Sequence, residues 1–170
     1  MIVVTVMSNL GMTLMAQREG ITLEQTKVGD RYVLERMQEI GANLGGEQSG
    51  HIIMLDRNTT GDGLLSALLL LEVLVKTGKP LSELASIMEV LPQALVNPKV
   101  PNHKKDRYME YPEIAAAIET LNAKFAGEGR VLIRPSGTEP KVRVMIEGKD
   151  QAMIEQEAKK LAELIQNTML

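Results

Sequence analysis

Val131-Leu132-Ile133-Arg134-Pro135-Ser136-Gly137-Thr138-Glu139-Pro140-Lys141-Val142-Arg143-Val144-Met145-Ile146 sets the plan of this chain. An apolar run leads in and an alternating run leads out, so two strands flank a polar loop. Ser136 and Thr138 offer hydroxyl donors, and Gly137 allows close backbone approach or a positive φ. Arg134 offers a planar fork that suits a phosphate or a carboxylate. Backbone amides in such a turn can converge into an anion-binding concavity. On its own chemistry the loop reads as a phosphate clamp, or as a plain hairpin turn whose Arg134 pairs with a nearby acid.

Composition narrows the classes. The 170 residues suit one large or two small domains, and 44% of them are hydrophobic. Aromatic residues make up only 2%, with no Trp and one Phe, so packing rests on aliphatic side chains and eleven Met. So few aromatic faces argue against single-stranded nucleic acid, whose bases stack on them. The net charge of −3 gives no broad basic surface for polyanions. Without cysteine there is no disulfide framework, thiolate metal site or Cys nucleophile. The longest apolar stretch, Leu64 to Val75, is interrupted by Ser66 and Glu72 and is too short to span a bilayer. The start lacks a basic leader and a cleavage site, so the expected location is cytoplasmic. The chain opens directly on an apolar strand, which suggests a piece of a longer protein or an unusually compact N-terminus.

In chain order, Ile2 to Met7 reads as a buried strand and Leu10 to Arg18 as a helix closed by Gly20. Gln25 to Val28 is extended, and Arg31 to Ile40 is a helix stopped by Gly41. Leu44 begins a second extended piece that runs into Gly45-Gly46, and His51 to Leu55 is a further strand. This alternation points to βαβ units and a largely parallel sheet. The helix from Leu64 to Lys76 is apolar nearly all round, which predicts that it lies buried against that sheet. Leu81 to Leu91 follows as another helix, with Leu84, Ile87 and Met88 inward. Around Pro92 the texture changes, placing a domain boundary near residue 91. The basic cluster His103-Lys104-Lys105 reads as a solvated face. Pro112 starts a helix running to Phe125, the two strands of the Arg134 loop come next, and Gln151 to Met169 closes as an amphipathic helix. The fold class is thus α/β: a parallel-type βαβ domain over residues 1–91, then a small α+β domain over residues 92–170.

A second polar loop, Gly45-Gly46-Glu47-Gln48-Ser49-Gly50-His51, lies between two of those strands. Its glycines permit a sharp turn or close approach to a ligand. A carboxylate beside a hydroxyl suits adjacent sugar hydroxyls, each of which both donates and accepts. The plainer alternative is a glycine-rich hairpin with polar tips, and His51 reads equally as a structural histidine or a ligand contact. No His, Asp or Glu spacing marks a metal site, and Ser49 has no convincing base and orienting acid for nucleophilic catalysis.

Together, Gly46-Glu47-Gln48-Ser49-Gly50-His51 and Arg134-Pro135-Ser136-Gly137-Thr138-Glu139-Pro140 resemble the sugar-binding and phosphate-binding loops of the α-D-phosphohexomutases. Their form is most similar to the bacterial phosphoglucosamine mutases, as are Val3-Val4-Thr5-Val6-Met7-Ser8-Asn9, Val28-Gly29-Asp30-Arg31-Tyr32-Val33 and Asn58-Thr59-Thr60-Gly61-Asp62-Gly63. The resemblance covers essentially the whole chain and implies most of the third domain and all of the fourth of a four-domain enzyme. It implies interconversion of glucosamine 6-phosphate and 1-phosphate through a phosphoserine and a bisphosphate intermediate. The phosphoserine and the aspartates that hold Mg2+ would lie in the first and second domains, so this chain should be inactive alone.

Carried onto these residues, the resemblance has Glu47 and Ser49 hold neighbouring ring hydroxyls in either orientation of the sugar. Arg134, Ser136, Gly137 and Thr138 would hold the phosphate that is not reacting, with Arg143 a further phosphate contact. Asp30, Arg31 and His51 complete the substrate-binding set, and no catalytic or metal residue is expected here. The expected partners are the phosphosugar, domains 1 and 2 of the same enzyme, and a second copy in a homodimer, with neither nucleic acid nor membrane. The competing readings are a phosphomannomutase or phosphoglucomutase of the same family, a non-catalytic phosphosugar-binding module, and a structural piece with vestigial loops.

Overall fold

The computed structural model describes all residues from Met1 to Leu170, and they form two compact units, Met1–Val90 and Leu91–Leu170. No helix is long and apolar enough to cross a membrane.

The first unit is built on β1 (Ile2–Thr5), α1 (Leu10–Arg18), β2 (Leu23–Thr26), α2 (Asp30–Ile40), β3 (Leu44–Gly46) and β4 (Ile52–Met54). The sheet order is β2-β1-β3-β4, with β1 parallel to both β2 and β3 and only the β3–β4 hairpin antiparallel. β1 ends at Thr5, two residues before the apolar run does, because Ser8 N–H turns back onto the Thr5 carbonyl. Asn9 then caps α1 by accepting from the Gly11 amide at 2.9 Å. α2 lays Val33 and Met37 on Val3 and Ile53 to make the core. Gly45 lets that helix sit close: a Cβ there would come within 2.8 Å of Val33 Cγ1 and 2.9 Å of the Val3 carbonyl.

Two expectations fail in this unit. The apolar helix α3 (Gly63–Thr77) has no buried residue; Leu64 is 73% and Val75 84% exposed. A helix apolar on all sides needs cover on all sides, and here only a stripe that includes Leu65 and Leu69 is even half-buried. Helix α4 runs only from Leu81 to Ala85, and Ile87 is exposed. Beyond Ala85 the chain continues in looser turns, with Ile87 and Met88 amides donating three residues back at 3.4 and 3.3 Å.

The second unit comprises β5 (Gln93–Val96), a 3-10 segment (Lys105–Glu110), α5 (Pro112–Lys124), β6 (Gly129–Pro135), β7 (Val142–Gly148) and α6 (Gln151–Met169). Its sheet, β5-β7-β6, is antiparallel throughout. Side chains alternate along β7, so Val142, Val144 and Ile146 join one core with Ile114, Ile118 and Leu121 of α5 and Ile154, Leu161 and Ile165 of α6. The opposite face carries charge in register. Arg130, Glu147 and Gln93 line up across β6, β7 and β5 at one end, and Arg134 stands opposite Arg143 at the other.

Candidate functional site

The β3–β4 turn is closed by its own backbone, with Glu47 N–H donating to the His51 carbonyl and Gly50 N–H to the Glu47 carbonyl, each at 3.0 Å. The Glu47 carboxylate is held from two sides. Its Oε2 accepts from the Gly29 amide at 3.1 Å, and its Oε1 accepts from the Ser49 hydroxyl at 2.5 Å. Ser49 Oγ also lies 2.9 Å from His51 Nδ1. A serine has a single proton, so with that proton on Glu47 the His51 Nδ1 carries the hydrogen of the second contact and donates to Ser49. The turn therefore presents acceptors on Glu47 and Ser49 beside the imidazole, a face suited to a ligand rich in O–H or N–H donors.

Gly29 is the contribution of the β2–α2 loop. It caps α2 with φ at 132°, where glycine is favoured, and so aims its N–H at Glu47. Asp30 and Arg31 are not drawn to Glu47. Asp30 Oδ1 accepts from the amide of Arg31, and the exposed Arg31 guanidinium is engaged by Glu35 at 2.7 Å.

In the second unit, β6 and β7 place Arg134 and Arg143 directly across from each other. Both Nε atoms are buried and have no hydrogen-bond partner. Burial and the neighbouring Arg143 charge pull the Arg134 pKa down. Like charges directly opposite are unfavourable, and each unpaired buried donor costs about 1–3 kcal/mol. At the other end of the same face the charges are matched: Glu147 is fully buried and bonded to Arg130 and to Gln93 Nε2. The cationic end has no buried counter-charge like Glu147: the acid beside it is the exposed Glu139, 3.8 Å from Arg143 Nη2 and shared with Lys141.

The loop between these arginines is ordered by Ser136, which is only 3% exposed. Its N–H donates to the Lys141 carbonyl at 2.9 Å and its Oγ accepts from the Glu139 amide at 3.2 Å, leaving the hydroxyl proton to donate elsewhere. Gly137 and Thr138 are exposed at the tip, and nothing lies within 4 Å of a Cβ built on Gly137. Gly137 does not use a positive φ, so of the two roles open to it only close approach remains. Lys141 holds the Glu139 carboxylate at 2.8 Å, and this hydrogen bond, with Arg143 adding its charge, keeps the Glu139 pKa below the usual range.

Two residues that sequence reading passed over belong with these loops: Gly29, described above, and Lys105. The basic cluster is not simply a solvated face. Lys104 Nζ donates to the carbonyls of Met169 and Leu170 at 3.1 Å each, and Lys105 Nζ donates to the Ser136 carbonyl at 2.5 Å. No three His, Asp or Glu side chains come together as a possible metal site. The residues present therefore do not fit a magnesium ion, and no step is assigned to one.

The fold is thus a βαβ unit carrying a polar, glycine-rich turn, followed by an α+β unit carrying a cationic hydroxyl loop. Residues 1–91 match the family description "Phosphoglucomutase/phosphomannomutase, alpha/beta/alpha domain III", and residues 95–164 match "Phosphoglucomutase/phosphomannomutase, C-terminal domain". The chain belongs to the phosphoglucomutase/phosphomannomutase family. It is 60% identical over 99% of its length to the phosphoglucosamine mutase of Ruminiclostridium cellulolyticum and 58% identical to that of Clostridioides difficile. It spans 37% and 38% of those relatives' own lengths. Among solved structures, the Aspergillus fumigatus N-acetylphosphoglucosamine mutase in complex with GlcNAc-6P and magnesium shares the fold, with a TM-score of 0.80 at 19% identity. That match covers 99% of this chain and 39% of that one.

Proposed function

We propose that the chain supplies the sugar-reading and phosphate-holding parts of a phosphoglucosamine mutase, which interconverts glucosamine 6-phosphate and glucosamine 1-phosphate. The observation that carries this reading is the pair of buried guanidinium N–H groups on Arg134 and Arg143 that have no partner. A phosphate dianion supplies the missing acceptors and further negative charge between the two arginines. Ser136, Gly137 and Thr138 add neutral donors to the phosphate oxygens. In the first unit, Glu47 and Ser49, beside His51, accept from neighbouring ring hydroxyls, and from the ammonium of the amino sugar when it faces them. Acceptors that do not distinguish one hydroxyl from the next tolerate a sugar bound in either direction, as a bisphosphate intermediate that turns around requires. The chemistry assigned to these residues is positioning, which supplies much of the barrier reduction in phosphoryl transfer. The roughly 60% identity to phosphoglucosamine mutases supports the amino sugar over glucose or mannose phosphates.

The test is an amide NMR titration of the chain with glucosamine 6-phosphate, repeated with Arg134→Ala and with glucose 6-phosphate and mannose 6-phosphate. The expected result is shifts at Gly46 and Gly50 together with Gly137 and Thr138, largest for the amino sugar and weakened by the substitution. Shifts confined to Gly137 and Thr138 would leave an anion clamp with no sugar readout and would overturn the assignment of Glu47 and Ser49.

A further inference from the structure

Lys105 has no role in the reading above, yet its ammonium is spent on the phosphate loop. It reaches Ser136 from the 3-10 segment, 31 residues away in sequence, and its Nζ lies 2.5 Å from the Ser136 carbonyl oxygen. Lys105 is half-buried, and so is Tyr108, one turn further along the same segment. The Tyr108 hydroxyl donates to the Ile133 carbonyl at 3.3 Å, just before the arginine that begins the loop. Lys104, on the other side of Lys105, is anchored to the last carbonyls of α6. Residues 104–108 thus form a strap fastened to the end of α6, to β6 and to the loop tip.

The consequence lies in the peptide that joins Ser136 to Gly137. It is trans, so its carbonyl and the Gly137 N–H point in opposite directions. With the carbonyl fixed on Lys105, the N–H is aimed away from the strap. The ammonium also draws electron density toward the carbonyl oxygen, making that N–H a stronger donor. Glycine at position 137 would otherwise let this peptide rotate freely.

We propose that Lys105 is a positioning residue of the phosphate clamp: by holding the Ser136 carbonyl it presents the Gly137 amide, pre-oriented, to a phosphate oxygen. It acts through the peptide and does not touch the ligand. The proposal rests on the reading of the Arg134 loop as a phosphate clamp.

The experiment is a titration of the 170-residue chain with inorganic phosphate, followed through the amides of Gly137 and Thr138. It compares the unsubstituted chain with Lys105→Met, Lys105→Arg, Arg134→Ala and, as a control on the strap, Lys104→Met. Lys105→Met should weaken phosphate binding about tenfold, the factor that a charged hydrogen bond is worth, and should move the Gly137 amide resonance before phosphate is added. Lys105→Arg, which keeps a charged donor, should recover most of the affinity, and Lys104→Met should change it little. In the unsubstituted chain, the scalar coupling through the hydrogen bond from Lys105 Nζ to the Ser136 carbonyl carbon should persist when phosphate is bound.

Loss of that coupling on binding would mean that the ammonium swings onto the ligand, and would overturn the positioning role without need of any variant. Affinity within twofold of the unsubstituted chain for Lys105→Met would overturn it as well. If Arg134→Ala leaves phosphate affinity unchanged, the clamp reading itself fails. If only Lys105→Met is silent, the clamp stands and Lys105 alone loses its role.

Discussion

Arg143 faces Arg134 across an antiparallel pair where an acid would be the ordinary neighbour, as Glu147 is for Arg130. Replacing Arg143 removes repulsion and a buried unpaired donor together, and gives up only a 3.8 Å ion pair with the exposed Glu139, a kind of pair worth little. Arg143→Leu should therefore leave the melting temperature unchanged or raised when phosphate is absent. In the unsubstituted chain, phosphate at about a hundred times its Kd should stabilise by about 2.7 kcal/mol, and Arg143→Leu should lose most of that gain. Thermal melts with and without phosphate check both halves; a variant that melts lower without phosphate and gains as much from it would sink the idea. The two loops stood out in the sequence as clusters of Arg, Ser, Gly and Thr, or of Glu and Ser among glycines, between apolar strands; their residues alone left a plain hairpin open, and the family resemblance gave them their expected roles. Gly29 and Lys105 were not legible, since their partners lie 18 and 31 residues away and no local pattern records such a pairing. The open fate of Arg31 has the same origin: a helix surface offers Glu35 one turn on, and an i,i+4 pair forms without regard to any ligand.

Elements followed the sequence where period and punctuation agreed. Strand alternation, the Asn9 cap, Gly41 at φ 70° and Pro112 at the start of α5 all mark local choices that the fold keeps. α3 is the informative failure. Its composition announces burial, but composition cannot say which surfaces of the chain are available to bury it. Leu68, Leu71 and Val75 are 56%, 55% and 84% exposed, a run of apolar surface larger than scattered single residues would give. The 170-residue chain should therefore bind the dye ANS while fully folded. The double substitution Leu71→Glu, Val75→Lys should cut that binding several-fold while changing stability by no more than about 0.5 kcal/mol per site, because neither side chain is packed. Unchanged fluorescence, or a large loss of stability, would mean that α3 is not the exposed apolar element described above.

At the level of the whole chain, the proposed function gives each compact unit one kind of recognition: acceptors for hydroxyls in Met1–Val90, donors and cations for phosphate in Leu91–Leu170. Neither carries a set of side chains that could hold a metal ion. Binding groups without reacting groups lower no chemical barrier by themselves. In a coupled assay the 170-residue chain, purified free of host enzyme, should give no conversion of glucosamine 6-phosphate above background even where NMR shows the ligand bound. Turnover at the rate of a whole mutase would overturn the assignment of these residues to binding alone. The boundary between recognition and reaction was read from family resemblance, because no spacing of residues in this chain marks what is missing from it.

The scarcity of aromatic residues has a spectroscopic side. With no Trp, near-ultraviolet emission falls to the three tyrosines, and they are unevenly placed. Tyr32 is 45% exposed on α2, whereas Tyr108 and Tyr111 pack against the core of the second unit, with the Tyr108 hydroxyl bonded to the carbonyl of Ile133. Intrinsic fluorescence is thus weighted toward the unit that holds the arginine loop and toward the strap beside it. Phosphate added at the arginine loop should therefore change tyrosine emission, a readout that needs no label.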